Sequence, residues 1–192
     1  CDKLGLRMKI QKNISLQPYN QFGVDAKAKY FAAPKTIGEV KEIITNPDLK
    51  DEKKIILGGG NNILFVGDFD GLVIRPEIMG REVVEKKEDE VVVKVGASED
   101  WDKLVRWTVD QGWGGMENLV MIPGTVGGAV VQNIAAYGHN LEDVFVRLKG
   151  INLNTGGVEE IDKKECQFEY RSSIIRRGEK KDFLITQVVL EL

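Results

Sequence analysis

The stretch IPGTVGGAVVQNIAAYG, residues 122–138, sets four glycines, three alanines and a single tyrosine together and opens with a Pro-Gly turn. Small residues at this density are needed where something large lies against the main chain, because a minimal side chain lets another body approach the peptide groups. Pro123 and Gly124 make the turn. Gly127, Gly128 and Ala129 permit close approach, and Gln132 and Asn133 supply amide donors and acceptors suited to a heteroaromatic edge or a phosphate. The plain alternative is a helical hairpin whose glycines serve packing alone.

A second glycine-rich segment lies upstream. Lys54, Ile55, Ile56 and Leu57 read as a strand that runs directly into Gly58, Gly59, Gly60, Asn61 and Asn62. Backbone N–H groups can converge on a phosphate there with no Cβ in the way. The run is neither the dinucleotide fingerprint, whose third glycine would fall on Ile63, nor a Walker loop, since no Gly-Lys-Ser/Thr follows. Alone it reads as a tight turn. Two such segments separated by a helix suggest one large dinucleotide threaded between two lobes.

Composition narrows the classes of function. A chain of 192 residues fits one domain or two small ones and can bury a real core. Its 27 Lys and Arg against 30 Asp and Glu leave a net charge of -3, so no basic footprint for nucleic acid is present. Cys1, Cys166 and the single histidine, His139, cannot build a disulfide framework or a zinc site, so no metal centre is expected and a reducing compartment is. No window approaches the roughly 20 apolar residues that span a bilayer. These features predict a cytoplasmic protein with no membrane partner. Residues 1–7, ahead of Met8, read as a non-native or upstream extension.

Periodicity supplies the organisation. Residues 26–33 alternate weakly as an extended segment, and Thr36 caps a helix whose Ile37, Val40, Ile43 and Ile44 share a face. Leu72, Val73 and Ile74 form another strand. Val83-Val84 and Val91-Val92-Val93 flank a charged tip as an antiparallel hairpin, and Ser98 is expected to cap a helix with Trp101, Leu104, Val105 and Thr108 on one face, ending at Gly112. Residues 148–153 and 158–161 flank an Asn-Thr-Gly-Gly turn, a second hairpin signal, and residues 183–190 read as a strand. The fold class is therefore α+β with two lobes: a small α/β lobe over residues 8–78, and a larger antiparallel-sheet lobe with helices over 79–192.

Four motifs in order carry a family resemblance: YNQFG at 19–23, LGGGNNILF at 57–65, GMENLVMIPGTVGGAVVQNIAAYG at 115–138 and CQFEYRSS at 166–173. The chain from Tyr19 to Leu192 resembles the UDP-N-acetylenolpyruvoylglucosamine reductases, which make UDP-N-acetylmuramate for peptidoglycan. The AAYG and YRSS forms are most similar to the subgroup with an extra loop in its later portion. The resemblance implies a two-lobed FAD-binding domain of the vanillyl-alcohol-oxidase type with noncovalent FAD, NADPH as co-substrate and UDP-N-acetylglucosamine enolpyruvate as substrate. Leu57, Gly58, Gly59, Gly60, Asn61 and Asn62 would cradle the pyrophosphate. Ile122, Pro123, Gly124, Val126, Gly127, Gly128, Gln132, Asn133, Ile134, Ala135 and Ala136 would line the flavin, the small residues making room for a flat ring and offering it main-chain N–H groups.

By the same resemblance Arg171 is the catalytic arginine, and Tyr137 and Tyr170 contact the nucleotide-sugar substrate. A guanidinium aimed at charge that develops on the substrate carboxylate helps most in the transition state, and losing such a group costs about 3–4 kcal/mol of barrier. Plain alternatives stand beside each: Arg171 as a surface ion-pairing arginine, Tyr137 as a packed tyrosine with a wet hydroxyl, His139 exposed in a turn, Cys166 as a small buried hydrophobe, and Trp101, Trp107 and Trp113 as packing residues. The family continues into a third, substrate-binding domain carrying a proton-donating serine and an assisting glutamate, neither assignable within these residues. The expectation is an FAD-binding portion that holds flavin and does not turn over substrate alone. The complete enzyme is then a monomer, and the fragment associates through the face the third domain would cover. Two other readings remain: an alcohol or hydroxy-acid oxidase of the same fold, and a noncatalytic flavin-binding module.

Overall fold

The computed structural model describes residues 8–192, so the expectation for residues 1–7 lies outside the described residues. The chain divides into two compact units, the first ending at Glu77 and the second beginning at Ile78.

The first unit is built on a four-stranded mixed sheet. Its elements are β1 (Gln11–Ser15), β2 (Lys27–Ala32), α1 (Ile37–Thr45), β3 (Lys54–Ile56) and β4 (Phe69–Ile74), with spatial order β1-β2-β4-β3. β1 runs antiparallel to β2, while β4 is parallel to both β2 and β3. Thr36 caps α1 as expected: its hydroxyl accepts from Glu39 N–H at 3.1 Å, and Glu39 accepts in return from Lys35 N–H. Val40 and Ile43 are the buried part of the predicted apolar face. β1 was not anticipated, because QKNIS offers one aliphatic residue and no alternation; it forms as a polar edge strand. Leu16, Ala28, Phe31, Leu57, Phe65 and Val73 pack one core cluster, with Tyr19 stacked on Phe31 at 4.8 Å between ring centres.

The second unit contains β5 (Arg81–Lys86), β6 (Val91–Gly96), α2 (Trp101–Asp110), α3 (Val126–Gln132), β7 (Ala135–Ala136), β8 (His139–Asn140), α4 (Leu141–Val144), β9 (Phe145–Asn152), β10 (Val158–Asp162) and β11 (Phe183–Glu191). Five strands make an antiparallel sheet in the order β10-β9-β11-β6-β5, and both predicted hairpins, β5 with β6 and β9 with β10, are in it. Val91, Val93, Val95, Leu148, Val188 and Leu190 present one face to α2 and α3. Trp101, Leu104, Val105 and Thr108 are the buried face of α2, as the spacing predicts. Trp101 also satisfies its indole N–H on Leu119 O at 2.9 Å. Burial of that ring is worth about 3–5 kcal/mol against alanine.

One cap differs from expectation. Asp100, not Ser98, caps α2: its carboxylate accepts from Lys103 N–H at 2.9 Å. Ser98 instead accepts from Ile78 N–H at 3.0 Å, and the intervening Glu99 carboxylate takes Gly80 N–H and Arg81. With the hydroxyl committed to the segment that enters β5, the residue two positions on is left to close the helix.

Candidate functional site

In the first unit, Leu57 makes the last sheet bond, its N–H to Ile74 O at 2.8 Å, and the chain then leaves the sheet. Among the described residues the N–H groups of Gly58, Gly59, Gly60 and Asn61 donate to no protein acceptor. Four consecutive uncommitted donors immediately after a strand leave a run of partial positive charge on the main chain. The turn is braced from behind by the YNQFG segment. Gly60 O accepts from Gln21 N–H at 3.0 Å, and Asn61 Nδ2–H donates to Gln21 Oε1 at 3.0 Å. Gly60 has φ +72°, and a Cβ there would lie 2.0 Å from Tyr19 O, so only glycine lets the two segments close. Asn20 folds the bracing segment itself, its carboxamide bonding Leu16 O, Val24 O and Val24 N–H. Asn62 follows, exposed.

In the second unit, the approach to the small-residue segment is set by Met121, a non-glycine residue at φ +63°. Its N–H donates to Asp102 Oδ1 at 2.7 Å. The Arg106 guanidinium, then this N–H, hold the Asp102 carboxyl below the usual carboxylate range. Asp102 also pairs with Arg106 one turn along the helix, and nothing in that (i, i+4) spacing marks the bond to Met121 in the sequence. Ile122 leans on the core, Pro123 is exposed, and Gly124 at φ +128° gives its carbonyl to Trp101 N–H. The N–H groups of Ile122, Gly124 and Thr125 have no protein acceptor among the described residues.

The expectation that the following amides are offered to a ligand needs correcting. Val126 N–H donates to Glu99 O at 2.9 Å, Gly127 N–H to Ala97 O at 2.8 Å, and Gly128 N–H to the Thr125 hydroxyl at 3.2 Å. The large body lying against Gly127 is the protein itself: a Cβ there would sit 3.1 Å from Ala97 Cβ. The same holds for Asn133, which is 1% exposed and spends its carboxamide on Glu169 O and Glu142 N–H. Gln132 and Ile134 complete the end of α3, and Ile134 O accepts Leu141 N–H. Donors to a ligand in this segment are thus concentrated ahead of α3.

Past α3, Ala135 and Ala136 pair with Asn140 and His139 in a two-stranded hairpin. Tyr137 and Gly138 are its tip, at φ +50° and +83°, the double left-handed turn that hairpins favour. Tyr137 is 90% exposed, and His139 is half-buried in β8 rather than exposed. Residues 169–172 form a second tight reversal, closed by Glu169 N–H to Ser172 O and Ser172 N–H to Glu169 O. Tyr170, 83% exposed, and Arg171, at φ +51°, are its tip. The Arg171 guanidinium donates to Ala135 O at 3.2 Å and lies 6.0 Å from the Tyr170 ring centre. Arg171 makes no ion pair among the described residues, its guanidinium hydrogen bond going to Ala135 O. One tip therefore presents an uncompensated guanidinium beside an aromatic ring, and its bond to Ala135 ties it to the hairpin carrying Tyr137.

The remaining candidates are structural. Cys166 is fully buried, and burial, with Asp162 and Glu165 nearby, pushes its thiol up to about 12, far from a reactive thiolate. Trp107 and Trp113 meet edge to face at 5.2 Å against the core. No group of ligating side chains that could hold a metal ion, and no helix long and apolar enough to cross a membrane, occurs among the described residues.

Residues 28–162 match the family model described as FAD binding domain. UDP-N-acetylenolpyruvoylglucosamine reductase of Flavobacterium johnsoniae is 44% identical over 185 residues, covering 96% of this chain and 54% of that protein. The Pseudomonas aeruginosa enzyme of the same name is 38% identical, with 97% and 55% coverage. The chain spans about half the length of the curated relatives it matches. Among solved structures, the UDP-N-acetylenolpyruvylglucosamine reductase of Thermus caldophilus superposes with a TM-score of 0.74 at 25% identity, over 95% of this chain and 62% of that one. A solvent-stable cholesterol oxidase gives 0.66 at 15% identity, over 99% of this chain and 39% of that one, a likeness of fold alone.

Proposed function

This chain belongs to the family of FAD binding domains, and from that premise we propose that it is the FAD-binding part of a UDP-N-acetylenolpyruvoylglucosamine reductase. The observation that carries the reading is the run of uncommitted main-chain donors at Gly58, Gly59, Gly60 and Asn61. Such an array suits a diphosphate, whose oxygens accept and whose charge the convergent amides stabilise. The free N–H groups of Ile122, Gly124 and Thr125 suit the acceptor-rich edge of a flavin. Leu57 and Asn62 bound the first cradle. Pro123, Val126, Gly127 and Gly128 shape the second, with Gln132, Asn133, Ile134, Ala135 and Ala136 forming its far wall through their backbone and packing.

Overall the reaction adds a hydride from NADPH and a proton across the vinyl double bond of the enolpyruvyl ether, and FAD, when bound, supplies the relay for that hydride. The work of this chain's own residues is electrostatic and positional. Hydride arrival at the terminal carbon pushes an electron pair toward the substrate carboxylate. The Arg171 guanidinium, carrying no carboxylate partner of its own, is available to meet that charge. Tyr170 and Tyr137, both exposed on short turns, stack on and hydrogen-bond the nucleotide-sugar in this reading, which their exposure supports. Proton delivery falls to a serine, assisted by a glutamate, in the substrate-binding portion of the complete protein.

The complete enzyme acts as a cytoplasmic monomer on UDP-N-acetylglucosamine enolpyruvate, and the chain by itself associates through the face its substrate-binding portion would cover. The test is NADPH consumption by the complete protein: it is expected to depend on the enolpyruvyl sugar nucleotide and to yield the lactyl ether. NADPH oxidation indifferent to that substrate, with oxygen as sole acceptor, would reassign the protein as an oxidase of the same fold.

A further inference from the structure

We propose that Asn133 is a positioning residue whose buried carboxamide locks the turn carrying Arg171 to the hairpin carrying Tyr137. The inference rests on the reading that Arg171 meets the substrate. Asn133 ends α3 at φ 42° and ψ 63°, with its N–H still bonded to Ala129 O and Val130 O. Its Nδ2–H donates to Glu169 O at 3.1 Å, and its Oδ1 accepts Glu142 N–H at 3.1 Å. Glu169 is the base of the Arg171 reversal, and Glu142 follows the Leu141 whose N–H closes the base of the Tyr137 hairpin on Ile134 O. One side chain therefore fastens both.

The chemistry admits few substitutes. A carboxamide offers a donor and an acceptor from one short side chain, and asparagine tolerates the left-handed backbone better than other non-glycine residues. Aspartate would set a carboxylate against the Glu169 carbonyl in a site with almost no solvent. A second clip holds the other end of the Arg171 turn, where the buried Ser173 hydroxyl donates to Val131 O at 2.8 Å. The turn is thus held at Val131, at Asn133 and, through the guanidinium itself, at Ala135. Two exposed tips on strained turns would otherwise sample many orientations, and a guanidinium displaced by about 1 Å can lose about 100-fold in rate.

The test is a double-mutant cycle in the complete protein. Asn133→Gly keeps the left-handed backbone at no steric cost and deletes the carboxamide; Asn133→Asp keeps the acceptor for Glu142 and loses the donor to Glu169. Both are expected to slow substrate reduction about 100-fold. In an Arg171→Ala background, Asn133→Gly is expected to cost nothing further, because its effect passes through Arg171. Independently of turnover, amide hydrogen exchange at Glu142 and across 169–172 is expected to quicken in Asn133→Gly. An unchanged rate in both variants, or losses at Asn133 and Arg171 that simply add, would overturn the proposal while leaving the function intact. If Asn133→Gly does not fold, Asn133→Asp and Ser173→Ala carry the same cycle. If Arg171→Ala itself leaves substrate reduction unchanged, the functional reading fails, an outcome distinct from additivity.

Discussion

Gly60 shows how one residue ties backbone geometry to a binding surface. It sits at φ +72° with Tyr19 O where a Cβ would be, and its carbonyl receives Gln21 N–H. Alanine there must pay the left-handed penalty and push the YNQFG segment off the turn, so the donors at 58–61 lose the brace that aims them. Gly60→Ala is expected to destabilise the protein by about 2–4 kcal/mol and to weaken FAD binding more than the equivalent change at Gly23, which has open space around it. Urea denaturation and flavin titration of the two variants check this; equal effects at the two glycines would show that the close approach to Tyr19 is unimportant. Gly127 is the instructive counterpart. Sequence marks it as a place of close approach, which is right, but a glycine looks the same whether a ligand or Ala97 lies against it.

At the scale of elements, α2 does more than cover the sheet. Its first turn carries Asp100, which caps it at a gain of about 1 kcal/mol, and Asp102, which holds Met121 N–H just before Ile122 and Gly124. The Asp102 carboxyl titrates below its ordinary range when folded, chiefly because of Arg106 and then of Met121 N–H. A depressed carboxyl contributes stability that is present above its unfolded value, about 3.9, and is lost as pH falls through the lower folded value. The stability advantage of the native protein over Asp102→Asn is therefore expected to shrink on acidification below about pH 4, with faster exchange of the Met121 amide. Thermal melts of both proteins across that range check it; a difference independent of pH would mean that the carboxylate does not hold this segment. The helices and hairpins themselves were legible in sequence because their signals are local: a 3.6-residue apolar repeat from Trp101 to Thr108, and a valine pair and triplet around a charged tip. β1 was not, since an edge strand of polar residues is specified by its partner β2. The exchange of Ser98 for Asp100 as cap was also hidden, being decided by what Ile78 N–H needs.

For the molecule as a whole, the division into a small mixed-sheet unit and a larger antiparallel one follows from the change in texture after Pro76, where a helix between strands gives way to hairpins. The candidate site was only partly legible. Arg171, Tyr170 and Tyr137 could be picked out by motif, but the tie between Arg171 and the Tyr137 hairpin runs through Ala135 O and Asn133, residues 36 positions away from Arg171 and Glu169 respectively. Hydrogen bonds to a carbonyl and from a capping side chain leave no trace in spacing. The central claim, that this chain holds FAD noncovalently on main-chain donors, is tested most directly by the visible spectrum of the purified, desalted complete protein before and after acid denaturation. A flavin absorption band is expected to travel with the protein, with intact FAD released into the supernatant on denaturation. A protein that stays colourless even after incubation with FAD, or one whose flavin remains bonded to the precipitated chain, would contradict it.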